Sequence, residues 1–274
     1  MKNNSALLAN LKSGFVAVTI PVVVILSFVI YQFMLGNPDN FQGGDPVNHP
    51  IPGNYLGIIY KGGFIVPILL SLLFLVLIFA VERFLTLHSA KGNNNLRLFV
   101  SNVKEFVNTN QLEKAIVACD HQKGSVASVI KAGLEKSLIL EKNYELDPEK
   151  KVLSVKKDME EATQLELPSI EKNLVIIATI ASIATLMGLL GTVLGMIKAF
   201  AALATAGAPD AVALANGISE ALINTALGIG TSAIAIVMYN FFTTKIDALI
   251  HSIDEAGYTI TQKMALRDHH QLIN

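Results

Sequence analysis

Two long uncharged runs joined by a short turn constrain this chain more than any other feature. Residues 174–197 carry no charge and mix apolar with small side chains. After a short turn of Ala, Gly and Pro, residues 211–242 read AVALANGISEALINTALGIGTSAIAIVMYNFF, with Glu220 as the only ionisable side chain. Each run exceeds the about 20 apolar residues that a helix needs to cross a bilayer. A carboxylate inside such a helix is costly, about 2.5–3.5 kcal/mol for Asp on insertion scales, so it usually faces a bundle interior or a watery cavity. The alternative places Glu220 at the membrane interface, simply solvated, because its run begins only a few residues before it.

Small and hydroxyl residues indicate how the two helices pack. Ser182, Thr185, Gly188, Thr192 and Gly195 recur at steps of three or four, which share a helix face. On the second run Asn216, Glu220, Asn224 and Gly228 repeat every four, with Thr225 and Ser232 on an adjacent face. Such stripes let backbones approach in lipid and let side chains bond across helices. Packing alone accounts for the glycines, but not for Asn and Glu together on one stripe.

At these residues the chain resembles the ExbB/TolQ/MotA proton-channel family, and most of all its ExbB/TolQ branch. The resemblance lies in ATIASIATLMGLLGTVLGMIKAF followed by GISEALINTALGIGTSAIAIVMYNFF, where GLLGTVLGMI, EAL-x-x-TALG and the closing YN come in order and with that spacing. QLEKAIVACDHQKGSVASVIKAGLEKS is similar, more loosely, to the family's cytoplasmic segment. The chain departs from the pattern where the family often has prolines, at Ala184–Thr185 and Ile234–Ala235.

Composition agrees with a membrane protein. Hydrophobic residues make up 52% and charged ones 16%, against about 25% charged in soluble domains. The formal net charge of -1 points to neither nucleic acid nor an acidic substrate. Cys119 is the single cysteine, so no intramolecular disulfide can form, and its apolar face suits a structural role. Six scattered histidines stand at no metal-ligand spacing, and no nucleophile–base arrangement is present. The Gly188, Gly191 and Gly195 run follows no strand and is not a nucleotide loop. No enzyme activity and no cofactor are expected.

In chain order, residues 14–35 form an apolar run too long for a signal-peptide core and without a small-x-small cleavage site, hence a retained anchor. A Gly/Asn/Asp/Pro loop follows, and then a second apolar run that Glu82 and Arg83 close at the far membrane surface. The polar region beyond repeats apolar residues at helical spacing, as in Leu96, Phe99, Val100, Val103 and Val107, and again in Val126, Val129, Ile130 and Leu134. Asp147 before Pro148 starts a charged helix, and a helical tail carries Ile246, Leu249, Ile253 and Ile260 on one face. This region holds twelve Lys and Arg between Lys91 and Lys157, while the other inter-span loops hold little beyond Lys61. The positive-inside rule therefore puts it, with both termini, in the cytoplasm.

The expected fold is an all-α integral membrane protein of four transmembrane helices with long helical cytoplasmic extensions, assembling as a ring-shaped oligomer. Its expected segments are a cytoplasmic N-terminus (1–13), spans at 14–35 and 64–87 around a periplasmic loop (36–63), and a cytoplasmic helical region (88–169). Spans at 170–203 and 212–242 then flank a periplasmic turn (204–211), before a cytoplasmic C-terminal helix (243–274). The resemblance implies one span more than the branch's usual three, added at the front.

The resemblance further implies a proton-channel scaffold or stator in the bacterial inner membrane, using the proton-motive force to energise TonB-dependent outer-membrane transport. A stator of a Tol-Pal, gliding or flagellar-type motor is the alternative, and a small-solute transporter a remoter one. By motif, Thr192, Glu220 and Thr225 fall on the family's polar pore residues; Ser182, Thr185, Asn216 and Asn224 form a weaker pore stripe. Desolvation penalises the charged form of a carboxyl and Thr hydroxyls both donate and accept, so these groups suit a proton path. They make an incomplete relay by themselves. The implied partners are further copies of the chain (a pentamer), an ExbD- or TolR-like single-span protein in the pore, a TonB-like protein and membrane lipids.

Overall fold

The computed structural model describes residues 2–142, 146–204 and 210–273, and only the backbone of residues 2–13 and 268–273. The expected turn at 204–211 therefore falls mostly outside the described residues. Every named element is helical. The α-helices are α1 (Lys2–Val29), α2 (Tyr55–Tyr60), α3 (Ile65–Lys91), α4 (Leu96–Asn108), α5 (Leu112–Gln122), α6 (Gly124–Glu141), α7 (Pro148–Glu171), α8 (Leu174–Leu203) and α9 (Ala211–Ile273). Among the described residues, the four stretches Gly14–Leu35, Ile65–Asn108, Leu174–Leu203 and Ala211–Arg267 contain helices long and apolar enough to cross a membrane.

Contacts divide the chain into two compact units: Met1–Ala80 with Ile176–Tyr239, and Val81–Val175 with Asn240–Asn274. The first holds the most apolar helices, whose large side chains stay exposed on one side, as at Val18, Val22 and Ile25 of α1 and Leu186, Leu189 and Val193 of α8. Pro21 is accommodated inside α1. The helix then widens into a π-helical segment, Ile30–Leu35. There Tyr31 stacks on Tyr60 with ring centroids 4.7 Å apart and donates its hydroxyl to Tyr60 O at 3.2 Å. The loop beyond folds on Asn40, which is buried, donates to Met34 O and Leu35 O at 2.9 Å each, and accepts from Asn54 Nδ2.

The second unit is a set of amphipathic helices. Leu96, Phe99, Val100, Val103 and Val107 of α4 are buried at the predicted spacing, as are Val126, Val129, Ile130 and Leu134 of α6. A Cβ at Gly133 would lie 2.5 Å from Met159 Sδ, so this glycine lets α6 close on α7. Asp147 caps α7 through Glu149 N–H, with proline at the start of the helix as expected. Instead of running on into α8, α7 stops at a break where Asn173 has φ +65°, a conformation Asn tolerates at helix C-termini. Arg83, expected with Glu82 to close the second apolar run, is 1% exposed. Its Nη1 donates to Ile170 O at 2.9 Å and its Nε to Glu82 Oε2 at 2.6 Å, so it satisfies the end of α7.

Candidate functional site

Glycines set the register of α8 against α9. A Cβ at Gly228 would lie 2.7 Å from Ala184 O and from Gly188 Cα. At Gly195 it would lie 2.6 Å from Ala221 N, and at Gly217 2.6 Å from Ala199 N. Between Ala184–Gly228 and Ala199–Gly217 the two backbones touch in an antiparallel arrangement that the glycines permit. Thr192 then falls opposite Thr225, and Lys198 opposite Glu220.

Glu220 is 9% exposed and therefore buried rather than solvated. Lys198 Nζ donates to both its oxygens, at 2.6 Å to Oε1 and 2.8 Å to Oε2. Behind the carboxylate lies Gly63, in the turn between α2 and α3, with φ +73°. A Cβ there would sit 2.7 Å from Glu220 Oε1.

Along α9, Asn224 is fully buried and donates from Nδ2 to Gly62 O at 2.8 Å, while its Oδ1 has no hydrogen-bond partner in the structure. The bond to a carbonyl fixes which end of the amide is the nitrogen. Gly191 makes room for this side chain: a Cβ there would lie 2.4 Å from Asn224 Cβ. On the neighbouring face the hydroxyls of Thr192 and Thr225 hydrogen-bond to each other. Each hydroxyl has one proton, so one of them donates across the pair while the other donates to its own helix, Thr225 to Ala221 O at 3.0 Å or Thr192 to Gly188 O at 3.2 Å.

Of the residues singled out from sequence, Thr192 and Thr225 thus meet, with Glu220 a little over one turn before Thr225 on α9. Asn224 and Gly228 turn inward on the chain's own backbone. Ser182 and Thr185 lie exposed on α8, and Asn216 is half-buried near the start of α9. Sequence reasoning missed Lys198, Gly62 and Gly63. Lys198 is the first charge after the uncharged run 174–197 and Glu220 the only charge within residues 211–242, so the signal was two lone opposite charges, one on each helix of the hairpin.

A cleft of about 950 Å³ lies in the second unit, with Lys91, Arg97, Lys104 and Lys245 in its lining. None of the residues singled out as pore or proton-path groups lines it. Among the described residues, no three His, Cys, Asp or Glu side chains gather where they could hold a metal ion.

Residues 121–255 match the MotA/TolQ/ExbB proton channel family. The Tol-Pal system protein TolQ of Pseudomonas aeruginosa is 33% identical over 125 residues, covering 46% of this chain and 54% of that protein. An ExbB-like 2 protein of Helicobacter pylori is 34% identical over 113 residues, 39% of this chain and 75% of that protein. The biopolymer transport protein ExbB of Salmonella typhimurium is 39% identical over 70 residues, 26% of this chain and 29% of that protein. The chain thus spans about half the length of the TolQ relatives it matches.

Proposed function

The chain belongs to the MotA/TolQ/ExbB proton channel family, and from that premise we propose that it is the ring-forming scaffold subunit of a bacterial inner-membrane motor driven by the proton-motive force. In this reading several copies, five by the family's pattern, enclose a single-span ExbD- or TolR-like partner. The polar region and both termini lie in the cytoplasm, a reading supported by the twelve Lys and Arg between Lys91 and Lys157. Protons pass by Glu220 and the Thr192–Thr225 pair, and the motion they drive is handed to an envelope protein of the TonB kind. The observation that supports it is a buried carboxylate, the only charge of residues 211–242, ion-paired to Lys198 of the facing helix and next to two bonded hydroxyls. A residue needed only for packing has cheaper alternatives than a charge in this place.

The second reading is a subunit of a Tol-Pal-type motor, which the match to relatives named TolQ favours. Deleting the gene separates the two. Loss of energised outer-membrane uptake supports the first, and an envelope-integrity defect with uptake intact supports the second.

The proton role is tested by Glu220→Gln, which keeps hydrogen-bonding capacity and removes the charge change. The variant should assemble with its partner as the wild type does, and abolish the process driven by the proton-motive force. Thr192→Val and Thr225→Val, each losing one hydroxyl at nearly constant volume, should give weaker defects. Normal energised activity of the Gln variant at wild-type protein levels would remove the proton role and leave Glu220 a structural residue.

A further inference from the structure

We propose that Lys198 is a movable cap on Glu220, which closes the carboxylate off in the structure described here and uncovers it when another carboxylate draws the ammonium away. This rests on the channel reading above and adds to it a positioning residue that controls access to the proton-binding group.

The geometry supporting the cap is specific. Both oxygens of Glu220 are contacted by Lys198 Nζ, at 2.6 and 2.8 Å. The Glu220 side chain is 11% exposed and that of Lys198 59%, so the exposed part of the pair is the lysine. The opposite flank is closed by Gly63, whose missing Cβ would fall 2.7 Å from Oε1 and 3.0 Å from Cδ. Approach from solvent therefore leads past the ammonium.

The helices cannot readily part to give another route. Gly195 and Gly217 hold the backbones of α8 and α9 in direct contact within one turn of the pair. What can move is the four-carbon stem of Lys198, a flexible support for a compact charge. An ammonium has three N–H donors. Two are engaged by Glu220, and the third is free to meet an anion arriving on the exposed side. A second carboxylate there competes with Glu220 for the same cation. As Lys198 swings toward it, Glu220 is left buried without its counter-charge, a condition relieved by taking up water or a proton. The register explains why the cap belongs to this hairpin: a lysine one residue earlier or later would be rotated about 100° around α8.

The test uses the purified complex of this chain with its membrane partner. A water-soluble carbodiimide is added with a small amine nucleophile, and the products are mapped by mass spectrometry. Wild type should yield an amide link between Lys198 and Glu220, with little nucleophile on Glu220. Lys198→Met should show Glu220 labelled several-fold more. Passive proton flux in liposomes should rise several-fold in Lys198→Met, stay near wild type in Lys198→Arg, and fall in Lys198→Met with Glu220→Gln to the level of Glu220→Gln alone.

Free labelling of Glu220 in wild type without the link would overturn the cap even if no variant assembles. So would flux and labelling in Lys198→Met equal to wild type, while Glu220→Gln still abolishes energised activity; in that case the channel reading survives alone. If Glu220→Gln is itself silent, the channel role of this residue fails first.

Discussion

Gly63 and Glu220 meet where the turn between α2 and α3 closes on α9: the place a Cβ would take at Gly63 is 2.7 Å from Glu220 Oε1. The turn needs its glycine twice over, because φ is +73° there. Gly63→Ala should cost about 1–2 kcal/mol from the left-handed backbone alone, and should push the carboxylate off its lysine. The expected result is a lower melting temperature and loss of the carbodiimide link between Lys198 and Glu220. A variant with an unchanged melting temperature and an intact link would mean that the turn is not seated on the carboxylate.

The glycines of the hairpin should not behave alike. At Gly195 an added methyl would meet the backbone of Ala221 at 2.6 Å and of Gly217 at 2.7 Å, atoms that cannot swing aside. Gly195→Ala should therefore destabilise the protein by about 1–3 kcal/mol, as overpacking does. Gly230, two residues past Gly228 and on the exposed side of α9, has open space around it. Gly230→Ala should be neutral or stabilising by up to about 1 kcal/mol, the helix-propensity difference. Melting both in the same detergent checks the contrast, and equal effects would argue against direct backbone contact.

Much of this architecture is legible in the sequence because hydropathy and helical period are local properties. The apolar runs that became α1, α3, α8 and the start of α9 declare themselves, as do the buried faces of α4 and α6. Motif singles out Thr192 and Thr225, but not their bond to each other. The Lys198–Glu220 pair could not be read in the same way. It depends on the register between two helices, which Gly188, Gly195, Gly217 and Gly228 determine only once their backbone contacts are known. Asn224 illustrates the same limit. Its Nδ2 donates to Gly62 O, a backbone atom far away in the chain that no local pattern announces as its partner. The burial of Arg83 is likewise not local, because nothing near it in sequence announces that Ile170 O needs a donor.

Cys119 provides a clean background for mapping which loops lie outside the membrane. It is 2% exposed, and burial, with the neighbouring Asp120 charge, pushes its thiol up to about 12. Only the thiolate reacts, so at pH 8 the native protein should be almost silent to maleimides. Val47, 77% exposed in the loop after α1, is a suitable probe; Asn40 is a poor one because its amide holds that loop together. A cysteine replacing Val47 should react with a membrane-impermeant maleimide from the periplasmic side, whereas one replacing the exposed Leu98 should react only after the membrane is opened. The reverse pattern would invert the proposed orientation.

Arg83 should be among the costliest single positions in the second unit. Its guanidinium is buried, bonds Glu82 through Nε at 2.6 Å, and reaches Ile170 O at 2.9 Å in the last turn of α7. Asn173 Nδ2 adds a bond to the same Glu82 at 3.3 Å. Arg83→Met keeps much of the apolar stem but strips the carboxylate of its counter-charge and the helix end of its donor. Breaking a buried pair from one side costs about 3 kcal/mol or more. Arg83→Lys retains the charge but not the planar fork that serves two acceptors at once, so it should fall between Met and wild type. Adding Glu82→Gln to Arg83→Met removes the stranded charge and should recover part of the loss. If burial of apolar stem were all that mattered, Met would be nearly harmless and the second substitution would recover nothing. Melting temperatures of the four proteins in one detergent decide between these outcomes. Wild type should melt highest and Arg83→Met lowest, with Arg83→Lys and the double variant between them.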